Sequence, residues 1–269
     1  MKSYKFAAML AAAMAIAALV APAAGAATPA KGYERFTGCP SPAEDPSVEL
    51  CIYSKIKGGH FQMGNKNVPI SKPMTLTGGS NGSLEGFHAN SKGGLTAVKQ
   101  LVPGGIIGLT GLDWLVNFLS LEGLKLYAVT ELVGPPVIGE GISLPIRVHL
   151  INPVLGNNCY IGSASSPINL NLIEGTTSPP PPNKPITGVE PEVGVNPETE
   201  VLSLLNGTYV DNSFSAPGAN GCVLTLFGFI PISINGLVNS TSGLPAAAGT
   251  NETIQDIDLE ITPSYRVYP

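Results

Sequence analysis

Ile168-Asn169-Leu170-Asn171-Leu172-Ile173 alternates apolar and polar side chains with a period of two. That is the pattern of a strand with one face on a core and the other in water. Three other stretches repeat it. In 144–151, Ile146, Val148 and Leu150 face one way and Arg147 and His149 the other. In 124–133, Leu126, Ala128 and Thr130 alternate with Tyr127, Val129 and Glu131. Near the end, Ile257, Leu259 and Ile261 alternate with Asp256, Asp258 and Glu260. The fold class expected from these runs is all-β: an antiparallel sandwich or Greek-key barrel with one short helix and long loops.

The segments around these runs agree. Residues 50–57 alternate, Gly58-Gly59 interrupts, 60–64 resumes, and Asn65-Lys66-Asn67 turns the chain into 68–70 and 73–77. These are meander signals. Residues 100–123 differ. A glycine-rich apolar run (102–109) is followed by Leu112, Leu115, Val116 and Leu119 at i, i+3, i+4 and i+7, which predicts a short amphipathic helix over 111–121 carrying Trp114. Pro179-Pro180-Pro181-Pro182 cannot lie inside a sheet and reads as an extended crossing within one domain. The expected organisation is a signal peptide at 1–26, an extended leader at 27–47 and a single β domain at 48–269.

The signal reading rests on Lys2 and Lys5, the apolar run 6–20 and the small residues Ala24-Gly25-Ala26. It places the chain in a secreted or cell-surface, extracytoplasmic setting. Cys39, Cys51, Cys159 and Cys222 are the four cysteines, an even number in an exported chain, and read as two disulfides rather than a metal site. Three connectivities are open. Cys39–Cys51 with Cys159–Cys222 is the expected one, because the first two are close in sequence and flank a proline-rich turn. Lys and Arg number 14 against 19 Asp and Glu. That acidic excess, with no basic run, argues against nucleic acid as a partner. Charged residues are only 12 % of the chain, while hydrophobic residues reach 43 %. Such a chain has the material for a core, so it is not disordered by composition. No transmembrane anchor is expected.

Several stretches together resemble a family of exported proteins of unknown function from high-GC Gram-positive bacteria. They are 152–163 (NPVLGNNCYIGS), 175–180 (GTTSPP), 182–188 (PNKPITG), 210–222 (VDNSFSAPGANGC) and 243–249 (GLPAAAG). The resemblance implies export and a unit joining Cys159 and Cys222. It implies no catalytic residue.

The candidates for chemistry are few. Gly78-Gly79-Ser80-Asn81-Gly82 matches the G-x-S-x-G nucleophile elbow, but no helical stripe follows it, so it reads as a turn. His60, His88 and His149 lie in no metal-binding spacing. Asp256, Asp258 and Glu260 share one strand face and read as the charged outer side of a terminal strand, where charge blunts edge pairing. No catalytic residue, cofactor or metal is therefore expected. Ile106, Ile107, Trp114 and Leu115 form a candidate apolar contact surface. The expected function is that of an exported non-enzymatic cell-surface or matrix protein. It acts by binding or assembly, on an unknown surface or matrix component or on a second copy of itself. A carrier of a small apolar ligand and a secreted hydrolase are the alternatives.

Overall fold

The computed structural model describes residues 27–117, 119–226 and 230–269; the expected signal at 1–26 lies outside the described residues. Along the chain run β1 (Leu50–Met63), β2 (Lys66–Pro69), β3 (Met74–Ser80), β4 (Gly94–Thr96), β5 (Gln100–Leu101), α1 (Gly105–Thr110), α2 (Leu121–Leu124), β6 (Tyr127–Leu132), β7 (Val137–Ile138), β8 (Ile142–Ile151), β9 (Tyr160–Ile161) and β10 (Ile168–Leu172). Then come β11 (Glu192–Asn196), β12 (Val201–Asp211), β13 (Ala219–Asn220), β14 (Val223–Leu226), β15 (Ile230–Ser233), α3 (Asn235–Ser242), β16 (Glu252–Pro263) and α4 (Ser264–Val267). The fold is all-β, a sandwich of two antiparallel sheets.

The first sheet has the order β11-β12-β16-β1-β3-β4, with β2 also on β1. The second has the order β13-β9-β8-β6-β5, with β7 and β10 also on β8. The chain's beginning and end thus share one sheet, and its middle forms the other. The proline-rich segment carries the chain from β10 back to β11. Ile52, Ile56 and Leu76 of the first sheet and Ile146, Val148 and Leu150 of the second are buried in one common core. Each such side chain contributes on the order of 1.5–3 kcal/mol by leaving water.

β8 and β10 alternate as the sequence predicts, each buried residue followed by a more exposed one. Gly58-Gly59 does not end β1. The strand runs on through a register shift between Ile56 and Gly58. Gly59 has φ +106°, and a Cβ there would sit 1.9 Å from the Ile254 carbonyl oxygen, so the bulge needs glycine. β16 is not an edge. It pairs with β1 on one side and β12 on the other. The carboxylates on its outer face answer neighbours across the sheet: Asp258 pairs with Lys57 at 2.7 Å, Glu260 with Arg35, and Asp256 accepts from Thr208 Oγ1 at 2.9 Å.

The helix expected at 111–121 is divided. α1 lies earlier, a 3-10 turn covers Asp113–Asn117, and α2 is one turn long. Gly111, at φ +68°, caps α1 in the left-handed conformation and breaks the 112/115/116/119 stripe before it can wind. α3, which the sequence did not signal, packs beside α1, with Val238 buried and Thr241 Oγ1 donating to the Leu109 carbonyl.

Both expected disulfides are present, Cys39–Cys51 and Cys159–Cys222. In the chain-entropy picture they contribute about 3 and about 4 kcal/mol, the longer loop more. The first ties down residues 27–47, which do more than extend. Phe36, Cys39 and Val48 join Cys51 and Val267 in a second small core, and Ala30 N–H donates to the Val267 carbonyl at 2.8 Å.

Candidate functional site: two hollows on one sheet

Alternation along β6 and β8 sends Ala128, Thr130 and Val148 inward and Tyr127, Val129 and His149 outward. A hollow lies on each face.

The inner one is a cavity of about 50 Å³ between the sheets, lined by Ile56, Met74, Val148, Leu170 and Gln255 among others. A second chamber of about 30 Å³ shares Met63, Val68, Ala128 and Val148 with it and is closed by Leu109 of α1 and Leu244. Gln255 is 3 % exposed. Its Nε2 donates to Thr253 Oγ1 at 3.2 Å, while its Oε1 has no partner. Ser242 Oγ, on the smaller chamber, is likewise unpartnered. Spaces of this size accept water or a very small guest, far below the roughly 300–1,000 Å³ of ordinary ligand pockets.

The outer hollow is a groove of about 470 Å³. Tyr127, His149 and Ile151 contribute to it from β6 and β8. Glu122 and Lys125 stand on one bank, Pro153, Gly156 and Asn157 on the other, and Lys99 also lines it. Buried Asn152 ties the banks together: its Nδ2 donates to the carbonyls of Gly123 at 2.8 Å and Lys125 at 2.6 Å, and its Oδ1 accepts from Val154 N–H. His149 is held on both sides. Its Nε2 lies 3.1 Å from the Asn157 carbonyl, which can only accept, so that nitrogen carries the hydrogen. Its Nδ1 lies 3.4 Å from Glu131 Oε1, and its ring stacks on Tyr160 with centroids 4.4 Å apart. Arg147 sits over the other side of this cluster, 4.2 Å from the Tyr160 centroid, and pairs with Glu131 at 2.7 Å. Lys99 lies 6.0 Å from the Tyr127 centroid, within cation–π reach. The Lys125 ammonium is held above its usual range by its hydrogen bond to Glu122.

No protein-family model, curated protein or solved structure matches the chain.

The residues singled out from sequence fall elsewhere. Ile106 and Leu115 are buried in the core, so they serve packing and offer no contact surface; Ile107 is half-buried. The Trp114 side chain lies outside the described residues. Exposed apolar surface in that segment belongs to Val116 and Leu121 instead. Ser80 ends β3 at 1 % exposure, with its Oγ unpartnered. No helix follows it. His88 bridges Gly79 across the strand, so Ser80 turns to the opposite face, and the His88 ring pairs with Asp45 at 2.7 Å instead. His60 meets Glu252 at 3.2 Å. Among the described residues no three His, Cys, Asp or Glu side chains are placed to hold a metal ion. No described helix is long and apolar enough to cross a membrane.

Tyr127, His149, Lys99, Lys125 and Asn152 were not singled out as one site in the sequence. The only local signal was that Tyr127 and His149 fall on the polar sides of their strands. Nothing local tells that 122–125 and 152–157 bank the same sheet.

Proposed function

We propose that this is an exported, non-enzymatic protein of the cell surface or surrounding matrix, and that it acts by binding through the groove on the outer face of the second sheet. The resemblance to exported proteins of high-GC Gram-positive bacteria and the two disulfides support the extracytoplasmic setting. The observation that carries the reading is the groove itself. Its volume of about 470 Å³ falls in the range of ligand sites. An aromatic ring and an imidazole lie on strands, and amide, carbonyl and ammonium groups stand on the banks. Strand-borne side chains hold their geometry better than loop-borne ones. Rings present flat apolar faces, and the banks offer donors and acceptors, so the groove suits a polyhydroxylated chain with some negative charge, such as an acidic glycan of the envelope. The carrier reading finds less support, since the inner cavity is about 50 Å³.

Co-sedimentation of the mature protein with insoluble envelope glycan tests this. Wild type is expected in the pellet, and Tyr127→Ala combined with Lys99→Ala is expected to weaken retention about tenfold, a change of roughly 1.4 kcal/mol. Retention that ignores both substitutions, or a protein that stays wholly in the supernatant, overturns the groove as the site.

A further inference from the structure

β11 ends the first sheet and pairs only with β12. All five of its residues are exposed, Val193 at 70 % and Val195 at 67 %. These valines are not random surface residues. Val193 lies opposite Leu204 and Val195 opposite Leu202, and those leucines lie opposite Leu259 and Ile261 of the core. Cross-strand neighbours share a face. One apolar stripe therefore runs from the core through half-buried Leu202 and Leu204 to the two valines, where it is uncovered. Edge strands are normally blunted because their free N–H and C=O groups recruit another strand. Pro191 and Pro197 bracket β11 and confine the open edge to its five residues.

The charges around the edge select the occupant. Glu190, Glu192 and Glu198 surround it, and among the described residues none makes an ion pair. A second copy added antiparallel in the register that pairs all five residues places Val193 opposite Val195, and Glu190 opposite Glu198 at both ends. Like charges directly opposite destabilise a sheet. A basic strand meets no such repulsion. We propose that β11 is a docking edge for an extended segment of a partner protein whose residues alternate aliphatic and basic. The aliphatic side chains cover Val193 and Val195 and continue the core stripe. The basic ones, on the other face and at the ends, answer the glutamates. Main-chain hydrogen bonds supply much of the affinity, as in other strand additions.

Fluorescence anisotropy of a labelled KVKVKVK peptide, titrated with the mature protein, tests this edge apart from the groove. The peptide is expected to bind in the micromolar range and to weaken with added salt. Its acidic counterpart EVEVEVE is expected not to bind. Val193→Ser with Val195→Ser is expected to abolish binding, and Glu192→Lys to weaken it about tenfold, with thermal melting unchanged because these side chains are exposed. Equal binding of the two peptides, binding that survives the serine pair, or no binding at all overturns the proposal. So does a dimer in sedimentation that the serine pair dissolves, which would make a second copy the occupant. Tyr127→Ala, on the opposite sheet, is expected to leave peptide binding unchanged, so failure here and failure of the groove are distinguishable.

Discussion

Val148 and His149 are neighbours in the chain and line opposite hollows. The inner hollow, beside Val148, is closed, apolar and about 50 Å³; the outer one, beside His149, is open, polar and about 470 Å³. The same two strands supply both. One residue of translation along a strand changes a side chain from structural filler to potential ligand contact. The contrast assigns stability to the inner face and recognition to the outer one.

The largest test of that division is Val148→Asp against His149→Ala. A carboxylate at position 148 meets apolar neighbours on both sheets and no partner, so urea denaturation is expected to show a loss of about 4–5 kcal/mol or failure to fold. His149→Ala is expected to cost under about 1 kcal/mol in the same measurement, since it loses only partly exposed contacts. Comparable losses would break the contrast.

A smaller effect sharpens it from inside. Gln255 carries an unpartnered carbonyl oxygen into the cavity. Gln255→Met removes that buried acceptor at similar volume, giving up one hydrogen bond to Thr253. A net gain of about 1 kcal/mol is expected from melting curves. A loss would mean that the amide is fully satisfied in solution.

The smallest effect concerns the first sheet's outer face. Burial pushes the Asp258 carboxyl up, but the Asn206 N–H and the Lys57 ammonium outweigh it and hold the group below its ordinary 3.8. A depressed carboxylate stabilises the folded state fully above that ordinary value, and the contribution fades as pH falls through the lower, folded-state value. Lys57→Met is therefore expected to cost a few tenths of a kcal/mol at neutral pH, discounted for solvent screening, and almost nothing once Asp258 is protonated. A stability difference that stays constant across an acid titration would show that Lys57 acts through packing alone.

Much of the strand pattern was legible. Ile168, Leu170 and Leu172 announced their buried face, and Arg147 and His149 their outer one, because side-chain alternation is a local property of the backbone. Gly111 shows where the sequence signal misled. The leucine spacing after it has helical period, yet a left-handed residue at its head stops the helix. The glycine's conformation, not the apolar count, decides.

The amino-acid order alone determined that the chain forms strands, which way their side chains alternate, and that four cysteines are available to close two loops. Each depends on residues within a few positions of one another. Only the tertiary structure decided that β16 lies between β1 and β12, that Ser80 and His88 face apart, that the 122–125 and 152–157 segments bank one groove, and that the core stripe runs out uncovered at Val193 and Val195. Those outcomes depend on which strand pairs with which across as many as two hundred residues. No local period encodes such pairing; it emerges when the two sheets bury their apolar faces against each other.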